Sequence, residues 1–372
     1  MIERLKDLAA ARRLVVKVGS SLLVERGAPR EGWLRSLAKD IAALKATGCE
    51  VIVVSSGAIA LGAATLGMAK GGRGNLADAQ AAAAVGQVAL ARLWAEALGG
   101  EGLVAAQMLV TIGDLEGRRR YLNASATLAR LLEAGAVPVV NENDSVATEE
   151  IRFGDNDRLA ARVAQAAGAQ GVLLLSDVDG LYDRDPAEDG ASLVPLVEGL
   201  TSDILAMAST RSGSGLGSGG MASKLQAAEI AERAGIALAI INGTHDAPIA
   251  RALASGTGTL FLPRKNAPAR KAWLGGRLAP AGVLTVDAGC AAALERGASL
   301  LAAGLTEVEG EFRRGDLVAV YGPGGERVAQ GLVEYSAEEC RRLRGLKQEA
   351  QSDALGYAPR AAVVHRDHMV QL

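Results

Sequence analysis

The sequence holds few of the groups that most often carry chemistry: three histidines, three cysteines and only 3% aromatic residues among 372. Cys49, Cys290 and Cys340 are scattered, with no metal-ligand or C-x-x-C spacing, so they read as reduced thiols of a cytosolic protein. His245, His365 and His368 lie far in sequence from every other candidate motif, which leaves no catalytic histidine. The last two form an H-x-x-H, but residues 361–364 before them read as a strand, and the pair is expected at the surface rather than on a metal. Strong charge of either sign is also missing. The balance of 40 Lys/Arg against 42 Asp/Glu leaves −2, too little for bulk attraction to nucleic acid or an anionic membrane. No signal peptide or membrane span is visible, since Met1 leads into the charged Glu3-Arg4-Leu5-Lys6-Asp7, and the expected location is the cytoplasm.

What the chain has in quantity is small and apolar. An apolar share of 49%, rich in Ala and Gly, suits a helix-rich α/β protein, and 372 residues exceed one ordinary core, so two domains are expected. Leu14-Val15-Val16-Lys17-Val18 reads as a buried parallel strand with a lysine inside it, followed by Gly19-Ser20-Ser21. A buried ammonium must be paired or must serve an anionic ligand, because leaving it alone is costly. The plainer alternative is a strand-edge lysine that snorkels to solvent. Leu34, Leu37, Ile41 and Leu44 recur at helical spacing. Residues 50–59 form a second strand that runs through a small polar turn into a helix start, where free N–H groups can hold an anion. Ser56 there can bond a substrate carboxylate or simply cap the helix. A helix is expected over residues 78–98, whose alanines at 79 and 81–84 allow close packing, and a strand over 103–110. Arg118-Arg119-Arg120 is expected in the following loop as a solvated basic face.

The apolar run 136–140 then ends in Asn141-Glu142-Asn143-Asp144, with Gly154-Asp155-Asn156-Asp157-Arg158 soon after. Asn, Asp and Gly favour turns for local reasons. Two such clusters around one strand end instead favour a ligand site, in which carboxylates hold the ammonium of a small zwitterion and amides read its carboxyl groups. Residues 171–182 give another buried strand, and Ser176 and Asp177 at its end can meet a nucleotide. The glycine-dense stretch 213–220 opens into Met221-Ala222-Ser223-Lys224. It is not a Walker A loop, because Ser223 rather than Gly precedes the lysine. Gly215, Gly217 and Gly220 fit G-x-G-x-x-G, but residues 202–209 before them read helical and no acid follows at the dinucleotide distance. What survives is a phosphate-cradling loop with a lysine about one turn into the helix. A flexible linker would explain the glycines but not their junction with that helix. Lys17 and Lys224 together suggest phosphoryl transfer, and a carboxylate acceptor, ionised at neutral pH, would need no general base.

Residues 15–23 (VVKVGSSLL), 53–62 (VVSSGAIALG), 137–146 (VPVVNENDSV), 152–161 (RFGDNDRLAA), 173–182 (LLLSDVDGLY) and 217–228 (GSGGMASKLQAA) resemble the bacterial glutamate 5-kinases of the amino acid kinase family. The likeness spreads over essentially the whole chain. It implies an α/β fold, a mainly parallel sheet in an αβα sandwich over residues 1–275, with ATP and an amino acid at the strand ends. It implies Mg²⁺- and ATP-dependent phosphorylation of the γ-carboxylate of L-glutamate to L-glutamyl 5-phosphate, the first step of proline biosynthesis, with proline as feedback inhibitor. By position, Lys17 and Lys224 would stabilise the transferring phosphoryl group and Asp157 would organise them. Ser56, Asp144, Asn156 and the neighbouring Asn141 would bind glutamate. Lys17, Ser176, Asp177 and the run Ser218, Gly219, Gly220, Met221, Ala222, Ser223, Lys224 would bind the nucleotide. Ser218 and Ser223 stand where the family often has Thr, and either hydroxyl makes the same bonds. Mg²⁺ is expected to travel with nucleotide and water, without a protein metal cage. The implied partners are a second copy of the chain, as dimer or tetramer, and the next enzyme of the proline pathway. Relatives acting on acetylglutamate, aspartate, carbamate or a nucleoside monophosphate would share the two lysines, but the paired acid–amide clusters argue against them.

Residues 263–271 are basic and proline-bearing and read as a domain exit. Beyond Gly282 the texture changes to short strands at 283–286, 317–321, 327–333 and 361–364, with a charged helix after Ser336 that carries Arg341, Arg342 and Arg344. This stretch, 282–372, resembles the PUA domain, a small β-rich, barrel-like module of RNA-modifying enzymes, on Gly289, residues 297–301 and residues 310–316. From Gly282 onward ten Lys/Arg face thirteen Asp/Glu, a net charge of −3, so no basic footprint stands out. The expected role is assembly or regulation, or a weak RNA surface. An RNA-modifying protein would account for this domain but not for the lysine–glycine apparatus.

Overall fold

The structure is a computed structural model and describes residues 2–146, 155–209, 220–263 and 280–371. Arg264 to Lys271 of the expected domain exit, and the expected boundary at residue 275, lie outside these residues. The chain separates into two compact units, residues 1–115 with 124–267 and residues 116–123 with 268–372.

Among the described residues the main sheet of the first unit has eight strands: β1 (Arg13–Val18), β2 (Glu50–Ser55), β3 (Ala105–Val110), β4 (Val137–Glu142), β5 (Gly171–Ser176), β6 (Leu196–Glu198), β7 (Ala237–Asn242) and β8 (Thr259–Leu262). They form one sheet in the order β3-β4-β2-β1-β5-β7-β8-β6. The first six of these positions up to β7 run parallel; β8 is antiparallel to β7, and β6 runs with β8. β1, β2, β5 and β7 are almost wholly buried Val, Ile, Leu and Ala, as expected of parallel strands covered on both faces. β1 lies between β2 and β5, and the chain continues to either side of it. The carboxyl ends of β1, β2 and β5 therefore border the switch point at which open α/β sheets take ligands.

The helices that position this edge are α1 (Glu31–Ala46), α2 (Ala58–Leu66), α3 (Leu76–Gly99), α4 (Asp155–Ala167) and α5 (Met221–Arg233). α1 buries Leu34, Leu37, Ile41 and Leu44, the expected stripe. Asn75 caps α3, its Oδ1 accepting from the Asp78 N–H at 2.8 Å. α2 and α3 cross backbone to backbone: a Cβ on Gly62 would stand 1.8 Å from the Ala82 carbonyl oxygen, and one on Gly86 1.8 Å from that of Ala58. Ala79, Ala82 and Ala83 are buried near this crossing, which is the close packing expected of the alanine run. One expectation fails here. Arg118-Arg119-Arg120 opens a helix, Arg118–Glu133, rather than sitting in a loop, because the following residues bury Tyr121, Leu122, Leu128 and Leu132 at helical spacing.

The second unit is a five-stranded sheet, β9 (Gly282–Val286), β10 (Leu305–Gly310), β11 (Leu317–Tyr321), β12 (Arg327–Val333) and β13 (Val364–Gln371), in the order β10-β9-β11-β12-β13. It encloses its own core, including Leu284, Val320, Val333, Tyr335 and Leu343. The helix Ala337–Leu343 follows Ser336 as expected, with a reciprocal cap: Glu339 N–H donates to Ser336 Oγ at 3.3 Å and Ser336 N–H to Glu339 Oε2 at 2.7 Å. The last strand is displaced from the expected 361–364 to 364–371, because the apolar Met369-Val370 pair continues it along Gly331 and Gln330. His368 is thereby drawn inward to 8% exposure, its Nδ1 3.7 Å from Glu334 Oε1, and is not the surface residue expected. His365 stays half-buried. All three cysteines are free thiols, and burial pushes Cys49 up to about 11 and Cys340 up to about 12. Among the described residues no helix is long and apolar enough to cross a membrane.

Candidate active site

Three side chains from three elements meet beyond the carboxyl ends of β1 and β5. β1 delivers Lys17, the first turn of α4 delivers Asp157, and Lys224 comes one turn into α5, whose N-cap is Gly220. Lys17 Nζ lies 2.5 Å from Asp157 Oδ1, and Lys224 Nζ 3.3 Å from Asp157 Oδ2. Their exposures are 7% for Lys17, 0% for Asp157 and 8% for Lys224. Two ammoniums thus share one carboxylate where water screens little. The group carries a net positive charge, and the cost of burying that charge is relieved by an anion. Burial alone would push the Asp157 carboxyl up, but Lys17 and Lys224 more than reverse this and hold it below the ordinary carboxylate range. Burial pushes the Lys224 ammonium down; Asp157 opposes the shift and Lys17 adds to it, leaving it below the ordinary lysine value.

Beside this group is a chain of amides. Asn156, adjacent to Asp157 on α4, donates from Nδ2 to Ser56 Oγ at 2.7 Å and to Asn141 Oδ1 at 3.4 Å. Asn141, buried on β4, donates from Nδ2 to Gln87 Oε1 of α3 at 2.8 Å. Asn156 Oδ1 is buried and has no hydrogen-bond partner among the described residues. Trp94, two turns after Gln87, donates from Nε1 to Ser55 Oγ at 2.9 Å and so fixes the end of β2 that presents Ser56. Asp144 is half-buried in the turn after β4 and, with Gln87, Gln107 and Asn143, lines a cleft of about 270 Å³. Its charge acts on Arg73, opposing the effect of burial there.

Ser176 ends β5 buried, and its Oγ donates to Asp177 Oδ1 at 3.1 Å. Asp177 is exposed, and its charge reaches Lys224. Of the glycine loop, Gly220, Met221, Ala222 and Ser223 lead into Lys224, with Met221 buried, while Ser218 and Gly219 lie outside the described residues. Lys17, Asp157 and Lys224 therefore converge, as do Ser56, Asn141 and Asn156, and the neighbours Asn156 and Asp157 join the two groups. The sequence alone does not single out Gln87, Trp94 or Arg73. Their only signal is that they are polar or aromatic residues in or near an alanine-rich helix.

The chain has close relatives. The sequence model of the amino acid kinase family matches residues 12–242, and that of the PUA domain matches residues 282–351. The glutamate 5-kinase of Novosphingobium aromaticivorans is 65% identical over 372 residues, covering 100% of this chain and 99% of the relative. Those of Sphingopyxis alaskensis and Zymomonas mobilis are 61% and 52% identical, over 98% and 97% of this chain and 98% and 91% of the relatives.

Proposed function

This chain belongs to the amino acid kinase family, among its glutamate 5-kinases, and on that premise we propose that it transfers the γ-phosphoryl group of ATP to the side-chain carboxylate of L-glutamate. The products are L-glutamyl 5-phosphate and ADP, and the reaction opens proline biosynthesis. The observation that carries this reading is the buried pair of ammoniums on the single carboxylate of Asp157, next to an amide chain with an open acceptor.

A carboxylate oxygen of glutamate attacks the γ-phosphorus while the bond to the β–γ bridging oxygen breaks and its electrons leave with ADP. The acceptor is already ionised, so no proton is moved and no base is needed. Lys17 and Lys224 neutralise charge on the oxygens of the transferring group, and Asp157 holds both ammoniums in place before substrate arrives. Their excess positive charge fits a nucleotide triphosphate, which enters as its Mg²⁺ complex and brings that ion's charge neutralisation with it. Ser176, Asp177 and the run 218–224 take the nucleotide on the α5 side, where the backbone N–H groups of a helix start favour phosphate. On the other side, Asp144 and Asn156 Oδ1 suit the ammonium of glutamate, while Ser56 and the amide donors, with Asn141 behind them, suit its carboxylates.

In this reading residues 1–275 perform the transfer in the cytoplasm, and residues 282–372 serve assembly or regulation. Proline, an amino acid of similar size to the substrate, competes with glutamate for the acid–amide pocket, and saturating glutamate relieves its inhibition. A homo-oligomer, dimer or tetramer, hands the acyl phosphate to the next enzyme of the pathway. Any RNA surface on the C-terminal unit is weak: Arg341 pairs with Glu311 at 2.9 Å and Arg342 with Glu338 at 2.6 Å. The reading is tested by trapping acyl phosphate with hydroxylamine, offering MgATP and one acid at a time. Hydroxamate is expected with L-glutamate and little with acetylglutamate or aspartate; hydroxamate with another acid instead would overturn the substrate.

A further inference from the structure

A carboxamide can present either end to a ligand, since its oxygen accepts and its nitrogen donates, so its partners must decide which end faces a site. Here they form a chain with one direction. Gln87 Oε1 takes a proton of Asn141 Nδ2 at 2.8 Å, which leaves Asn141 Oδ1 facing Asn156. Asn156 then spends one Nδ2 proton on that oxygen at 3.4 Å and the other on Ser56 Oγ at 2.7 Å. The end left over is Asn156 Oδ1, buried and without a partner among the described residues. A buried acceptor with no donor is costly, and a charged donor satisfies it best.

We propose that Gln87 is a positioning residue: by accepting from Asn141 it sets the direction of the amide chain, and so presents Asn156 Oδ1 as an acceptor for the ammonium group of the amino-acid substrate. This rests on the amino-acid reading of the site given above. Gln87 is well placed for the task. It lies next to Gly86, at the point where α3 touches the backbone of α2, and two turns before Trp94, which ties the same helix to Ser55. The helix that carries its carboxamide is therefore held on both sides of Gln87. Without its acceptor, the Asn141 amide is free to turn its donor toward Asn156. Asn156 would then turn its oxygen to that donor, and the pocket would present a nitrogen to an ammonium.

The test compares wild type, Gln87→Met and Gln87→Glu on L-glutamate and on glutarate, which keeps both carboxyl groups and lacks the ammonium. Gln87→Met is expected to raise the KM for glutamate about tenfold, the scale of one directed hydrogen bond, with the KM for MgATP unchanged. It is also expected to narrow the preference for glutamate over glutarate in kcat/KM. Gln87→Glu keeps an acceptor at the same reach and is expected to keep that preference. A Gln87→Met enzyme with wild-type preference overturns the proposal, and so does a Gln87→Glu enzyme that loses it. Failure of the wild type itself to form hydroxamate from glutamate would instead overturn the substrate reading on which the proposal rests.

Discussion

The Asp157 carboxylate carries opposite obligations in the resting and the working site. At rest it is paired with two buried ammoniums. Asp157→Asn removes the carboxylate that both ammoniums share, and we expect it to lower stability by about 3–5 kcal/mol, the cost of breaking a buried pair. MgATP should then raise the melting temperature of the variant more than that of wild type, because the triphosphate supplies the missing negative charge; equal shifts would mean that the lysines do not face the phosphates. Lys17→Met leaves a neutral Lys224–Asp157 pair, so it should fold well while kcat falls about 10²–10³-fold, as when one preorganised charge donor is removed. Because the Lys224 ammonium is held below its ordinary 10.5, it loses its proton as pH rises through that depressed value. The pH profile of kcat/KM should therefore turn down on an alkaline limb that begins below 10.5, and Lys224→Arg should remove that limb. Lys17 was legible because an ammonium inside an apolar run demands an explanation. Spacing alone does not separate Asp157 from Asp155, and it is the family resemblance that selects Asp157. Gln87 was not legible, since in an alanine-rich helix it reads as a solvent-facing residue.

At the scale of elements, the crossing of α2 and α3 links fold to site, since α2 begins just after Ser56 and α3 carries Gln87 and Trp94. A methyl at Gly62 or Gly86 would meet a carbonyl oxygen at 1.8 Å and force the helices apart. Gly62→Ala and Gly86→Ala should each cost about 1–3 kcal/mol in denaturant unfolding, as overpacking does, and raise the KM for glutamate more than that for ATP. An unchanged glutamate KM in a destabilised variant would show that the crossing supports the fold alone. The strands that end at the site were legible because β-branched runs stopping at polar residues mark buried parallel strands and their ligand edge. β7 carries the same kind of run, Ala237–Asn242, but is not among the strands expected from the sequence. β6 could hardly have been, as three residues hold no period. The arginine triplet at 118–120 misled because charge reports solvation and not conformation; the helix there is declared by the buried residues after it.

The whole molecule combines a mainly parallel α/β unit that has its ligand edge at the centre of the sheet with a separate β-rich unit that has its own core. That two-part character was readable from the change of texture beyond Gly282. The position of His368 was not, because whether a strand stops at residue 364 or runs to 371 is decided by pairing with β12, a partner distant in sequence. In the function proposed above, the first unit joins a carboxylate oxygen of glutamate directly to the γ-phosphorus of ATP. The most direct measurement uses L-glutamate carrying ¹⁸O in both oxygens of its side-chain carboxyl. When the acyl phosphate cyclises, its C–O bond breaks and the bridging oxygen leaves with phosphate, where ³¹P NMR detects it. Direct attack by the carboxylate releases phosphate bearing one ¹⁸O; unlabelled phosphate, formed at the same rate with or without glutamate, would rule that attack out.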